Sequence, residues 1–409
     1  MTDRLVARTR RLDADVDLLA FADRDGMLFE RGRAGLAGRG SVARLPWPGG
    51  DAAAGARSVS EALAAIEVDD EVGLPGCGGV AFGALPFAPG APSELVVPAV
   101  VAGRADDGTR WITTIGEGAR EPVRPDLHSE VDPPGAVHRF TVEAQRDPED
   151  WCALVERATK AMAGGAFHKV VLARQIDVTA DRPIDRLAVL ERLRSIYPGC
   201  HIVSVDGLVA ASPELLVSVA GDIVRSHPMA GTASRGGDPT TDQRLAASLL
   251  ASTKDRQEHQ ITIDMVHDTL LPWCSYLDYE AEPSVVAVAN VQHLATLVEG
   301  RLSQPAPSVL ELVAALHPTP AVAGWPRDEA VAWIAEHEGF DRRRYAGTAG
   351  WVDAAGNGTW AVSVRCAQIE GRAARVWAGN GIVPDSDPAT ELDETRAKLQ
   401  ALLSAIVRP

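Results

Sequence analysis

The sequence predicts an α+β protein with large, mostly antiparallel sheets. Two observations lead there. Strand-like segments come in long runs interrupted by helices, with no regular strand–helix–strand series. No short-period repeat or heptad array runs through the chain. Size is a third guide: 409 residues, 46% hydrophobic and 23% charged, suffice for one large or two ordinary globular domains.

Residues 1 to about 140 are rich in Gly, Ala, Pro and Asp, and Arg31–Gly40 and Gly49–Gly55 read as loops. Ser58–Ile66 is expected to be a short helix. Gly79–Phe87, Glu94–Val101 and Arg110–Ile115 read as strands. A Pro/Asp-rich connector follows over Glu121–Pro134. Asp147-Pro148-Glu149-Asp150 predicts a helix start, with Asp as N-cap, Pro in the first turn and acids at the positive end of the dipole. That helix should stop at Gly164-Gly165.

His168–Val178 reads as a strand with a buried middle and Ile184–Ile196 as a helix. His201–Ala211 and Leu215–Val224 read as strands, the second turning at Ala220-Gly221-Asp222. Pro228–Gly237 is expected to be a polar, Gly-rich loop. Helices should cover Thr241–Ser252 and Lys254–Leu271, Pro272 ending the second. Strands return at Ser284–Val291 and Leu294–Gly300, and helices at Ser308–Leu316 and Asp328–Glu336. Tyr345–Val352, Gly358–Ile369 and Ala374–Ala378 complete the strands. A Gly-rich turn, Trp377–Pro384, should lead into a final helix, Glu391–Ile406.

The net charge of −16 argues against nucleic acid or an anionic membrane as partner. An acidic substrate would need a local positive site. No apolar run approaches a membrane span, and Met-Thr-Asp-Arg-Leu at the N-terminus lacks a signal-peptide pattern. Cys77, Cys152, Cys200, Cys274 and Cys366 are scattered and odd in number, without C-x-x-C, which fits reduced thiols in a cytoplasmic protein.

Two stretches concentrate acidic chemistry. Glu391 and Glu394, three apart, share a helix face with Lys398. Asp255 and Glu258 repeat the spacing on the earlier helix. Either pair alone reads as a solvated helix face. If the two helices faced each other across a cleft, their oxygen ligands would select Mg²⁺ over Zn²⁺. Glu258-His259 is not H-E-x-x-H, which excludes a zinc protease on that motif.

Read together, the motifs say more. Lys169-Val-Val-Leu-Ala-Arg174, Ala211-Ser-Pro-Glu214-Leu, Pro228-Met-Ala-Gly-Thr232, Lys254-Asp-Arg-x-Glu258-His259 and Gln292-His293-Leu-Ala-Thr296 occur in that order. Leu316-His-Pro-Thr-Pro-Ala321, Tyr345-Ala-Gly347, Val364-Arg-Cys-Ala367, Gly379-Asn-Gly381 and Glu391-x-x-Glu394-Thr follow. The chain resembles the chorismate-utilising enzymes: isochorismate, salicylate, anthranilate and aminodeoxychorismate synthases. The resemblance is strong over about 145–409, the expected catalytic region. It is weak over 1–140, the expected N-terminal part of one sheet framework. It implies a single large unit, two big antiparallel sheets flanked by helices, with the active site in a cleft.

The resemblance also implies roles. Isochorismate synthases add water at C2 of chorismate while the C4 hydroxyl leaves, which needs a base and an acid. Lys169 matches the base, which must be neutral to act, and Glu214 the acid, whose pKa must be raised. Glu258 and Glu394 match Mg²⁺ ligands, with Glu391 and Asp255 reaching the metal through water. Arg365 suits the enolpyruvyl carboxylate, with Tyr345 as a neighbouring hydroxyl donor. Lys398 and the N–H groups of Gly231 and Thr232 would hold the ring carboxylate. Gly379 and Gly381 would let the backbone approach the substrate. His293 either lines the site or is a satisfied structural histidine.

Within the family, Lys169 favours water as nucleophile, since anthranilate-type enzymes typically carry Gln there; aminodeoxychorismate synthases can also carry Lys. Ala321 resembles the isochorismate synthases, where salicylate and anthranilate synthases usually place Thr. The expectation is a Mg²⁺-dependent, monomeric isochorismate synthase taking chorismate, without nucleic-acid or membrane partners. A salicylate synthase that goes on to eliminate pyruvate, and a non-catalytic anion-binding homologue, are the alternatives.

Overall fold

A computed structural model describes residues 4–118, 137–235, 237–288 and 291–407; the connector expected at Glu121–Pro134 lies outside the described residues. The protein is α+β, with two large sheets. The larger, of 13 strands, runs from Phe140–Ala144 through Lys169–Ala180, Ala373–Ile382, Cys366–Glu370, Leu208–Ser212 and His201–Val205. It continues through Met27–Arg31, Ala34–Arg39, Val100–Arg104, Arg110–Glu117 and Leu5–Arg11 to Glu67–Asp70, while Gly324–Trp325 pairs with the Lys169 strand. The second, of nine strands, orders Cys274–Tyr279, Val298–Leu302, Ile223–His227, Leu215–Ala220, Gly358–Val362, Thr348–Asp353, Val80–Leu85, Ser93–Val97 and Ala43–Trp47. A small third sheet, not foreseen, joins Met229–Ser234, Val291–Ala295 and Ser284–Val288. Among the described strands the pairing is antiparallel except between Leu5–Arg11 and Glu67–Asp70.

The main core fills the space between the large sheets, where Phe82, Trp351 and Trp360 meet Leu172 and Val203. A second core packs helices Leu18–Ala22, Arg186–Ile196 and Pro388–Ile406 on the outer face of the larger sheet, around Leu19, Leu190, Leu402 and Val376. Among the described residues no helix is long and apolar enough to cross a membrane.

Several segments depart from expectation for local reasons. His201–Ala211 is a hairpin, because Asp206 (φ 47°) and Gly207 (φ 82°) both take the left-handed conformation of a type I′ turn. Pro98 splits Glu94–Val101 into two strands that enter different sheets. Gly358–Ile369 splits likewise, and Arg365 sits at the crossing with φ 48°. Pro228–Gly237 contains a strand rather than a loop, Arg31–Gly40 contains Ala34–Arg39, and the helix expected at Ser58 begins at Ala52. Strands Leu5–Arg11, Met27–Arg31, Ala43–Trp47, Phe140–Ala144 and Cys274–Tyr279 carried no clear signal. Asp147 precedes helix Pro148–Ala163 but makes no side-chain cap bond. The final helix starts at Pro388, capped by Asp387, which accepts from the Thr390 amide at 2.8 Å.

The Lys169 strand is braced where neighbouring strands leave it unpaired. Glu338 Oε1 accepts from the Ala173 amide at 2.6 Å, and Arg342 Nη2 donates to the Val171 carbonyl at 2.6 Å. Glu338 and Arg342, both nearly inaccessible, pair with each other at 2.6 Å. The buried charges thus satisfy backbone groups that the sheet does not reach.

Candidate active site

A cleft enclosing about 1220 Å³, part of it open to solvent, takes in every residue singled out above as catalytic, substrate-binding or metal-ligating. Lys169 opens its strand, with the side chain 7% exposed, and Nζ donates to Glu258 Oε1 at 2.6 Å. Gly381 is opposite Val171 in the neighbouring strand. A Cβ on Gly381 would lie 2.8 Å from Lys169 Cε, and one on Gly379 would lie 2.7 Å from Tyr345 Oη. The expected Gly-rich turn is therefore a strand, Ala373–Ile382. Its glycines leave room for Lys169 and Tyr345 rather than reversing the chain.

Glu214 follows Pro213 at the end of the Leu208–Ser212 strand and is buried. Burial pushes its carboxyl up to about 8, against the pull of the Met229 backbone, Lys169 and Arg365. It therefore holds a proton at neutral pH. Tyr345 is also buried, its phenol pushed up by burial, and its ring stacks on Trp377 at 6.0 Å.

Gly231 is a bulge. Ala230 pairs with Leu294 and Thr232 with His293, so Gly231 (φ 75°) has no partner across the ladder. A side chain there would crowd Asp255 Cβ at 3.2 Å. Thr232 Oγ1 is 3.1 Å from His293 Nδ1, and Arg365 Nη2 donates to His293 Nε2 at 2.9 Å. Burial, then the charges of Arg365 and Lys398, push the His293 imidazolium far down, so the ring is neutral.

Helix Thr253–Leu270 is capped by Ser252 Oγ, which accepts from the Asp255 amide at 3.2 Å, and is anchored where His259 Nε2 meets Thr296 Oγ1 at 2.8 Å. It carries Asp255 and Glu258. Helix Pro388–Ile406 carries Glu391, Glu394 and Lys398. Among the described residues, no three acidic, histidine or cysteine side chains converge into a ready metal cage. Glu258 and Glu394 each face a lysine instead: Glu258 holds Lys169, and Glu394 holds Lys398 at 2.7 Å. Burial tends to raise Glu258, but the charge and hydrogen bond of Lys169, then Lys254 and Lys398, outweigh it and hold the carboxyl low. Glu391 accepts from Ser386 Oγ at 2.7 Å and Asn380 Nδ2 at 3.0 Å; burial, and then the negative charge of Glu394, push it up. Mutually repelling carboxylates with oxygen donors alone fit a divalent cation of the Mg²⁺ kind. To hold it, Glu258 and Glu394 would have to exchange lysine for metal. Lys398 also donates to the Gly379 carbonyl at 2.9 Å and Asn380 Oδ1 at 3.0 Å.

Ala321 lines the cleft beside Val322. So do Lys254, Val171, Met229, Trp377 and Val383, to which the sequence reading gave no role. Lys254 had a usable signal, being four residues before Glu258 on one helix face. Trp377 had none, since its place behind Tyr345 comes from sheet pairing.

Residues 31–407 match the family model described as chorismate binding enzyme. The chain belongs to that family. The family match reaches well into the N-terminal third, where the motifs were weak. The isochorismate synthase DhbC of Bacillus subtilis is 38% identical over 335 residues, 79% of this chain and 80% of that protein. EntC, an isochorismate synthase of Escherichia coli K12, is 36% identical over 339 residues, 80% of each. Among solved structures, the menaquinone-specific isochorismate synthase MenF from Escherichia coli matches with TM-score 0.82 at 25% identity, over 99% of this chain and 95% of that one. Anthranilate synthase component I from Streptococcus pneumoniae matches with TM-score 0.66 at 23% identity, over 81% of each chain, and shares the fold.

Proposed function

We propose that this protein is an isochorismate synthase, converting chorismate to isochorismate by adding water at C2 and losing the C4 hydroxyl. The observation that carries the reading is a buried carboxyl, Glu214, pushed up by desolvation, in the same cleft as a buried lysine, Lys169. The reaction needs a proton donor on the leaving hydroxyl and an acceptor for the proton of the attacking water. Glu214, pushed up to about 8, keeps its proton at neutral pH and gives it to the departing oxygen. Lys169 Nζ takes the water's proton as a neutral amine, for which it must first give up both its bond to Glu258 and one ammonium proton to solvent. Arg365, without an ion-pair partner among the described residues, meets a carboxylate of the substrate as a planar fork. Glu258 and Glu394, with Glu391 and Asp255 behind them, would hold Mg²⁺, which when bound neutralises the ring carboxylate and withdraws electrons from the ring. Relatives named isochorismate synthase, similar over most of their length, support the same reading. A monomer acting in the cytoplasm, without nucleic acid or membrane, belongs to the proposal.

The test is product analysis by liquid chromatography after incubation with chorismate, with Mg²⁺ and with chelator. Isochorismate in equilibrium with chorismate, formed only with Mg²⁺ and without pyruvate, is expected. Salicylate with stoichiometric pyruvate would replace the reading with a salicylate synthase. No turnover, with or without ammonia, would leave a non-catalytic homologue.

A further inference from the structure

Arg365 is a buried cation with unusual company. Its strand crossing gives it φ 48°, and it lines the cleft. Among the described residues no carboxylate forms an ion pair with it; its hydrogen-bonded side-chain partner is His293 Nε2 at 2.9 Å. A guanidinium donates only, through five N–H bonds, so the accepting Nε2 must carry a lone pair. The ring proton is then on Nδ1, where Thr232 Oγ1 stands at 3.1 Å and the Gly231 backbone is also in hydrogen-bond contact. His293 and Thr232 are held opposite each other by strand pairing across the Gly231 bulge.

We propose that His293 is a positioning residue that aims Arg365 at a substrate carboxylate, acting as a neutral Nδ1–H imidazole. This rests on the functional reading above for the carboxylate, but the ring state stands apart from it. The physical reason for a neutral acceptor is charge. A carboxylate in this place would fix the guanidinium equally well and would cancel the attraction it is there to supply. A neutral imidazole fixes one Nη2–H and leaves the positive charge, and the remaining N–H groups, for an anion entering the cleft. The chain Gly231/Thr232–His293–Arg365 thus links the bulge to the anion-binding guanidinium. The inward-facing His293 is an orienting group rather than one that touches the reacting atoms.

Two measurements test this. Long-range ¹⁵N–¹H correlation spectra of ¹⁵N-histidine-labelled protein, assigned by comparison with His293→Gln, should show His293 with protonated Nδ1 and bare Nε2. The opposite tautomer, or an imidazolium at neutral pH, would overturn the proposal whether or not the protein turns over chorismate. Kinetics on folded variants supply the second. His293→Gln keeps an acceptor near the Nε2 position and should stay within about threefold of the parent KM, while His293→Leu should raise KM by about ten- to a hundredfold, as for loss of a hydrogen bond to a charged group. His293→Glu should raise KM at least as much as His293→Leu, because the new carboxylate competes with substrate. In all three kcat should move less than KM, since the carboxylate contact is made in ground and transition states alike. A His293→Glu variant with parental KM, or equal KM values for the Gln and Leu variants, would leave His293 a packing residue. If no variant or parent turns over, the functional reading fails and the tautomer still decides the geometry.

Discussion

Glu214→Gln separates the acid's chemistry from its energetics. Burial raises the Glu214 carboxyl from 4.5 to about 8. Its folded value lies above its unfolded one, so its contribution to stability is full below about 4.5 and is lost as the pH rises through about 8. Between pH 5 and 8 the folded chain keeps most of a proton that the unfolded chain gives up, a loss of about 3.5 kcal/mol at 1.36 kcal/mol per unit. Gln does not titrate, so the variant escapes that loss while the other titrating groups cancel in the comparison. With about 2.1 cal/mol/K of unfolding entropy per residue, the chain gains roughly 0.86 kcal/mol/K, so the Tm difference should grow by about 4 °C. The assay is paired thermal melts of variant and parent at pH 5, 6, 7 and 8, the variant gaining steadily. The same substitution should lower kcat by about 10²–10⁴, the usual worth of a positioned acid. A Tm difference flat with pH would refute the raised carboxyl; full isochorismate formation by the variant would refute its role as donor.

Other substitutions probe the rest of the cleft. Lys169→Gln should abolish water addition with the fold intact by circular dichroism; retained isochorismate formation would remove Lys169 from the mechanism. Glu394→Gln should move the Mg²⁺ titration of activity to higher concentration, and an unchanged titration would count against it as a ligand. Gly381→Ala places a methyl 2.8 Å from Lys169 Cε and should cut kcat at least tenfold with a smaller change in Tm; parental kinetics would show that Lys169 can shift freely. Arg342→Met leaves Glu338 buried without its partner and should destabilise the protein by about 3–5 kcal/mol in urea melts, a loss below about 1 kcal/mol showing that the pair contributes little.

The sequence alone named residues that the fold gathers into one cleft. Lys169, Glu214, Glu258, Arg365, Glu391 and Glu394 were legible because ordered motifs fix residue type at each place, and all of them line one cleft. Helices were legible too, since their apolar spacing and caps are local: Ser308 and Glu311 close a capping box on the expected helix. What failed was local signal too short to separate neighbours. Asp206-Gly207 turns a predicted single strand into a hairpin, and Arg365 lies in the short link between one strand, ending at Val362, and another, starting at Cys366, in a different sheet. Among the N-terminal strands, Leu5–Arg11, Met27–Arg31 and Ala43–Trp47 were opaque because their alternation is weak and their partners lie far along the chain, as Met27–Arg31 with His201–Val205.

Only the tertiary structure decided who faces whom. That Glu258 holds Lys169 and that His293 accepts from Arg365 depends on contacts across 89 and 72 residues, whereas Glu394 meets Lys398 only four residues on. The i,i+4 pair alone could be read from spacing. The resemblance required a raised Glu214 carboxyl, but its cause, desolvation by the whole surrounding fold, is invisible in sequence. Motifs specify which groups are supplied, while burial and partner distance, properties of the packed chain, decide which of them carries a proton and which carries a charge.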